Sequence, residues 1–286
     1  MKDLKKRTIT AIVLIAVLIP TIFFSSIPFF VACGIFTLAA AWELERIFKE
    51  ENKWSAYNII AIVLNGILYI LTLLFLISKQ YLYILLSIVL VSLVVLILKL
   101  INKDLKLKNV FNTVLYPSIG FASFAYIRSV ETGLFKEGLF LLLYLMLICI
   151  ATDTFAYFFG CRFGKHKLAP KISPKKSWEG SIAGTIGALI IPTAFVFLTK
   201  LNTFLFGPMP LVLQIIFCSI LSVILSIIDE IGDLYASSIK RRFDVKDYSQ
   251  IFPGHGGILD RFDSYLFVSF TLTLYVSIIL IFVWEI

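Results

Sequence analysis

"LVLQIIFCSILSVILSII", residues 211 to 228, carries no charged side chain from its first residue to its last. A helix that is apolar on every side has no face to offer water, whereas about 20 such residues cross the hydrocarbon core of a bilayer. Helix also bonds every backbone N–H and C=O within the segment, which hydrocarbon requires. Working outward, the pattern recurs. Candidate spans fall at about 9–25, 27–42, 56–77, 81–101, 110–129, 138–158, 180–199, 211–228 and 264–284. The expected fold is an all-α, polytopic membrane helical bundle of about nine transmembrane helices.

Composition agrees. The 286 residues are 59% hydrophobic and only 15% charged, where soluble domains carry about 25% charged residues. Mean hydropathy is +0.95. Cys33, Cys149, Cys161 and Cys218 form no C-x-x-C pair, so they read as small core or lipid-facing residues, not a disulfide frame or zinc site. A net charge of +8 can signal nucleic acid, but Lys- and Arg-rich cytoplasmic loops account for it here, and no nucleic-acid partner is expected. The first span is not a cleavable signal peptide: its apolar stretch is long, and no A-x-A-like site follows. The second is short and runs into "WELERIF" (42–48), the pattern of a tilted or partly inserted helix. Pro20, Pro117, Gly184 and Gly187 inside spans mark kinks or close helix packing.

Charge sets orientation. Alternate loops carry Lys2, Lys5, Lys6 and Arg7; Arg46, Lys49 and Lys53; Lys99, Lys103, Lys106 and Lys108; Arg162, Lys165, Lys167, Lys171, Lys175 and Lys176; and Lys240, Arg241, Arg242, Lys246 and Arg261. Of 26 basic residues, only Lys79, Arg128, Lys136 and Lys200 fall on the other side. Positive-inside bias therefore predicts a cytoplasmic N-terminus and an outside C-terminus. The chain divides into an N-terminal transmembrane region, 1–135, and a catalytic region, 136–286, with cytoplasmic loops 159–179 and 229–263.

Those two loops hold the chemistry. The eighth span continues past the membrane as helix, and at 100° per residue Asp229, Asp233, Ser237 and Lys240 share one face. "GHGG" (254–257) gives backbone freedom, letting amides approach an anion or the chain turn back sharply. "DRFD" (260–263) opens the last span with Asp260 and Asp263 on one side. Carboxylates at a wet membrane edge are hard oxygen ligands suited to Mg²⁺, and the adjoining cations suit phosphate oxygens. The mixture is the usual equipment of phosphoryl or nucleotidyl transfer. Helix capping alone is the plainer explanation, but it leaves ionisable groups at the membrane boundary unaccounted for. Asp153, near the inner end of span six, is another costly acid, and His166 reads as part of a basic surface loop.

The run from Ser237 to Asp263 resembles the signature of the phosphatidate cytidylyltransferases, or CDP-diacylglycerol synthases. It is carried by Ser237, Ile239, Lys240, Arg241, Lys246, Asp247, Ser249, Phe252, Pro253, His255, Gly256, Gly257, Ile258, Asp260, Arg261, Phe262 and Asp263, with no departure. "GDLYAS" (232–237) and "SPKKSWEG" (173–180) resemble the family's neighbouring elements. The likeness is sharp over about 150–263, while the first five spans match only in being apolar.

The resemblance implies a Mg²⁺-dependent nucleotidyltransferase of the inner (plasma) membrane, its active site facing the cytoplasm, acting in phospholipid biosynthesis. Its substrates would be CTP and phosphatidate, its products CDP-diacylglycerol and pyrophosphate. It implies Asp233 and Asp260 as metal ligands, in agreement with their place at two helix ends. Asp263 joins them as a partner or third ligand, with Lys246 and Asp247 among the catalytic group. Lys240, Arg241 and Arg261 are expected on phosphates, with Ser237, His255, Gly256 and Gly257 in the same substrate site. Ser173, Lys176, Ser177 and Glu179 are expected to close the pocket from the other loop. Small-residue faces permit a homodimer. A CTP-dependent polyprenol or phytol kinase would not be expected to match the full signature. An ion-coupled transporter would concentrate its polar groups near the bilayer midplane, where these spans are nearly uncharged. The D-x-x-D-G-x-x-A-R motif of the CDP-alcohol phosphotransferases is absent.

Overall fold

The computed structural model describes residues 19–23, 26–49, 54–102, 105–131, 137–254 and 256–283. Within them the chain is an all-α, multi-span membrane protein, with eight helices long and apolar enough to cross a bilayer. They are α1 (Ser26–Phe48), α2 (Ala56–Ile77), α3 (Tyr81–Ile101), α4 (Leu107–Ser129), α5 (Glu137–Phe163), α6 (Trp178–Leu198), α8 (Leu211–Arg242) and α9 (Leu259–Phe282). A short helix, α7 (Leu201–Phe206), and an antiparallel pair, β1 (Lys167–Ala169) and β2 (Ser173–Ser177), complete the elements. Most of the first expected span lies outside the described residues; residues 19–23 are helical.

One expectation changes. The short second span is part of a continuous 23-residue helix, α1, that carries "WELERIF" as its last turns. It keeps its helix because Glu43 and Glu45, at 0% and 3% exposure, are buried on protein partners instead of meeting lipid. By contrast α8 follows the sequence. Its 32 residues span about 48 Å at 1.5 Å per residue, beyond the ~30 Å hydrocarbon core.

The helices form two compact units. The first holds the described residues up to Ser129 together with Arg242–Phe262. Proline at 117 removes an N–H from the interior of α4, which leaves the carbonyl of Thr113 without its helical donor. Asn65 of α2, fully buried, supplies one: its Nδ2 donates to Thr113 O at 3.0 Å and to Val114 O at 3.2 Å. The expected kink site is thus a polar seam between two helices. The segment Arg242–Phe262 docks here through aromatic ends, Phe243 on Phe48 at 5.0 Å and Phe262 on Phe36 and Phe121, each at 5.4 Å.

The second unit holds Val130–Arg241 and the described residues from Asp263 onward. Here α5 and α6 approach along a run of small residues. A Cβ on Gly180 would stand 2.7 Å from the Ala156 carbonyl oxygen, and one on Gly184 2.7 Å from that of Thr152. Small residues let membrane helices pack backbone to backbone, where van der Waals contact replaces the hydrophobic drive of water. Gly232 does the same for α8, its Cβ position lying 2.9 Å from the Cα of Ser264.

Candidate active site

In the second unit a cavity of about 680 Å³ opens between α5, the β1–β2 pair, α6 and α8. Lys167, Lys175 and Lys176 bring positive charge, Asp153 and Glu230 negative, and Tyr157 and Leu168 an apolar wall. Why the chain forms this shape is local. Gly160, Gly164 and Gly180 line it, and they let β2 lie against the end of α5. Ser177 ends β2, accepts the Gly180 amide at 3.2 Å, and so caps α6.

Lys176 and Asp233 form the central ion pair, Nζ to Oδ2 at 2.7 Å, with side chains 22% and 29% exposed. Ser237, one turn along α8, donates to Asp233 Oδ1 at 3.4 Å. Burial alone would lower the Lys176 pKa, but Asp233, then Glu230 and Asp153, outweigh it and hold the ammonium above its ordinary value. Ser181 donates to Glu230 Oε2 at 2.5 Å, while Glu230 Oε1 has no hydrogen-bond partner. Asp229 is 1% exposed and neither of its oxygens makes a hydrogen bond of ordinary geometry, although Cys149 and Ser264 lie beside it. The group thus brings four carboxyl groups around one close ammonium.

The first unit holds the other part of the signature. Asp260 Oδ2 accepts the backbone amides of Tyr248 at 2.8 Å and Gly257 at 2.9 Å. Gly256 has φ +85°, and a Cβ there would meet the Asp260 carboxylate at 2.8 Å. The glycines of "GHGG" therefore let the chain turn back sharply around a carboxylate. Glu43 of α1 accepts from Ser249 Oγ at 2.6 Å and from the amides of Ile258 and Leu259 at 2.8 and 2.9 Å. A Cβ on Gly257 would collide with Glu43 Oε1 at 2.2 Å.

The expected site residues take distinct places. Lys176 and Ser177 line the cavity, and Asp233 joins it through Lys176. Ser173 begins β2, opposite Ala169. Glu179 turns to the preceding strand connection, accepting from the amides of Lys165 and His166 and meeting His166 Nδ1 at 2.6 Å. Arg241 Nε donates to the Ile172 carbonyl at 3.3 Å, tying the end of α8 to the β1–β2 turn. Lys240 is half-buried on α8. Lys246 and Arg261 are exposed, and Asp247 accepts from Gln250 at 3.4 Å. Asp263 Oδ1 accepts the amide of Ser264 at 3.0 Å. His255 lies outside the described residues. Among the described residues, no three His, Cys, Asp or Glu side chains form a ready metal cage. Glu230, Lys167, Lys175, Ser181 and Glu43 were not expected from the sequence. An acid inside an apolar helix, as at Glu43 and Glu230, is the signal that marks them, because such groups are too costly to sit in a span idly.

Against known proteins, residues 5–279 match the family described as "Cytidylyltransferase family". The chain is 46% identical over 156 residues to a protein named phosphatidate cytidylyltransferase from Staphylococcus haemolyticus (strain JCSC1435), covering 54% of each. It is 44% identical over 156 residues to one so named from Staphylococcus aureus (strain COL), again 54% of each. To one so named from Haemophilus influenzae (strain ATCC 51907 / DSM 11121 / KW20 / Rd) it is 52% identical over 128 residues, 45% of this chain and 42% of that protein. The chain thus spans about half the length of the curated relatives it matches.

Proposed function

We propose, from the premise that this chain belongs to the cytidylyltransferase family, that it is a phosphatidate cytidylyltransferase. It transfers CMP from CTP to phosphatidate and so supplies CDP-diacylglycerol for phospholipid synthesis. The observation that carries the reading is the cavity of the second unit, where lysines face an acid group beside an apolar wall. One substrate is a soluble polyanion and the other a phosphate on a lipid. Lys167, Lys175 and Lys176 suit the phosphates, and Tyr157 and Leu168 suit the lipid side.

In the reaction a phosphatidate oxygen forms a bond to the α-phosphorus of CTP, the α–β bridging P–O bond breaks, and pyrophosphate leaves. No protein nucleophile is required, so the residues act by positioning and by charge. Lys176, kept protonated by its carboxylate neighbours, holds phosphate oxygens. Lys240 and Arg241 do the same from the end of α8, while the resemblance assigns Lys246 and Arg261 of the first unit to catalysis and substrate on their own account. Ser177 orients Lys176 by fixing the junction of β2 and α6.

Mg²⁺ fits the donor set. The oxygens are hard, Asp229 and Glu230 carry oxygens without hydrogen-bond partners, and Mg²⁺ typically takes one or two carboxylates plus substrate phosphates, not a full protein cage. The family resemblance assigns Asp233 and Asp263 of the second unit, and separately Asp260 of the first, to metal binding. When bound, Mg²⁺ would offset charge that develops on the triphosphate. We place the site on the cytoplasmic side of the plasma membrane, the N-terminus inside and the C-terminus outside, from the loop charges.

The test is direct. Purified protein in detergent is given labelled CTP, phosphatidate and Mg²⁺, and the liponucleotide and pyrophosphate are measured. Product with phytol or dolichol but none with phosphatidate would overturn the substrate assignment.

A further inference from the structure

Glu43 stands more than 200 residues before Ser249 and Leu259 in sequence, yet its carboxylate supports the loop they bound from within. It is fully buried. Its Oε1 accepts from Ser249 Oγ and the Ile258 amide, and its Oε2 from the Leu259 amide. Those amides lie at the start of α9, Ile258 just before it and Leu259 its first residue, where N–H groups lack helical acceptors and an anion is favoured. The same carboxylate thus caps the helix and pins the strand of loop that passes it at Ser249. Every residue it touches is itself buried: Ser249 at 3%, Ile258 at 3% and Leu259 at 0% exposure.

The loop depends on this group in a second way. Gly257 sits so close that any side chain there would overlap Glu43 Oε1. Its amide is then free to reach Asp260 Oδ2, the same oxygen that accepts from Tyr248. Glu43 and Asp260 therefore divide the turn between them, one carboxylate holding the amides of Ile258 and Leu259 and the other those of Tyr248 and Gly257.

We propose that Glu43 is a positioning residue for the cytidylyltransferase reaction. It sets the conformation of Tyr248–Asp260, and through it the direction of the Asp260 carboxylate, without touching substrate. This rests on the function proposed above. It explains why a charged side chain occupies a membrane helix at this point, a burial that a capping role on a passive loop does not demand. Chemistry also makes the role specific to a glutamate. In Glu43→Gln, the amide NH₂ must face either Leu259 N–H or the Ser249 and Ile258 donors, so at least one pair becomes donor against donor. In Glu43→Asp the carboxylate falls short by one methylene.

The experiment uses the full chain in detergent, with Glu45→Gln as comparison. Glu45 is a buried acid on the same helix, but it bonds Thr113 and Asn58, outside the loop. Two readouts are taken: steady-state kinetics with CTP, phosphatidate and Mg²⁺, and amide hydrogen exchange across 248–260. For Glu43→Gln the expected result is a kcat lower by about tenfold or more, the scale of losing charge-assisted hydrogen bonds, with faster exchange confined to the loop. Glu45→Gln should leave loop exchange unchanged. Unchanged loop exchange in Glu43→Gln, or a kcat within about twofold of the parent with exchange altered, would overturn the proposal. If Glu43→Gln fails to fold, Ser249→Ala removes one of the three bonds and is judged by the same two criteria. Absence of cytidylyl transfer by the parent protein would instead refute the function, while the exchange measurement would still report on the loop.

Discussion

Lys176 Nζ lies 2.7 Å from Asp233 Oδ2, joining the end of β2 to the polar end of α8. Glu230 and Asp153 raise the Lys176 pKa along with Asp233.

That arrangement has a pH signature. A lysine whose folded pKa is raised contributes stability in full below the unfolded value of about 10.4, and loses it as pH rises through the folded value. The parent protein should therefore show no change from this pair between neutral pH and about pH 9, then a steeper fall in melting temperature above about pH 10.4 than Lys176→Met does. Thermal unfolding in detergent across that range checks it. Equal alkaline slopes in the two proteins would remove the linkage.

Asp233→Asn and Asp260→Asn should each lower turnover by at least roughly 10²-fold, the scale of losing one strong electrostatic element in a site. They should differ in stability. Asp233→Asn unpairs Lys176, whereas Asp260→Asn can keep its amide acceptor by presenting the carbonyl oxygen to Tyr248 and Gly257. A Mg²⁺ titration of activity per folded molecule decides the metal role. Near-normal activity at ordinary Mg²⁺ would take the residue out of the site.

The glycine seam between α5 and α6 makes a packing prediction. Gly184→Leu would press a side chain onto the Thr152 carbonyl, where a Cβ alone comes within 2.7 Å. We expect a loss of about 1–3 kcal/mol or more from overpacking, seen as a lower melting temperature and less monodisperse protein. Ile190→Val, on an exposed position of the same helix, should change little.

Topology is open to reporter fusions. Fusions in 102–108, 165–176 and 240–255 should all report the cytoplasm, and one at the C-terminus the outside. A cytoplasmic C-terminus would require an even number of spans and would discard the proposed layout.

Hydropathy alone determined that this chain is a bundle of membrane helices, because every span must bury its backbone in hydrocarbon and no other residue pattern does so at this length. The composition of 173–180 and 237–263 likewise raised the expectation of phosphate chemistry there. The sequence also carried the helical spacing of Asp229, Asp233 and Ser237, since a period of 3.6 is local. Tertiary structure decided the rest. Whether an acid is a ligand, a cap or an ion-pair partner depends on which groups face it from other helices, and those lie far away in sequence. Thus Glu179 turned to the backbone of Lys165 and His166 instead of the cavity. Pro117 became a bonded seam because Asn65 was there to answer it. Glu43, read as lying just past a short span, proved to hold amides more than 200 positions away. Burial in a membrane protein makes each such pairing obligatory, but only the fold chooses the partner.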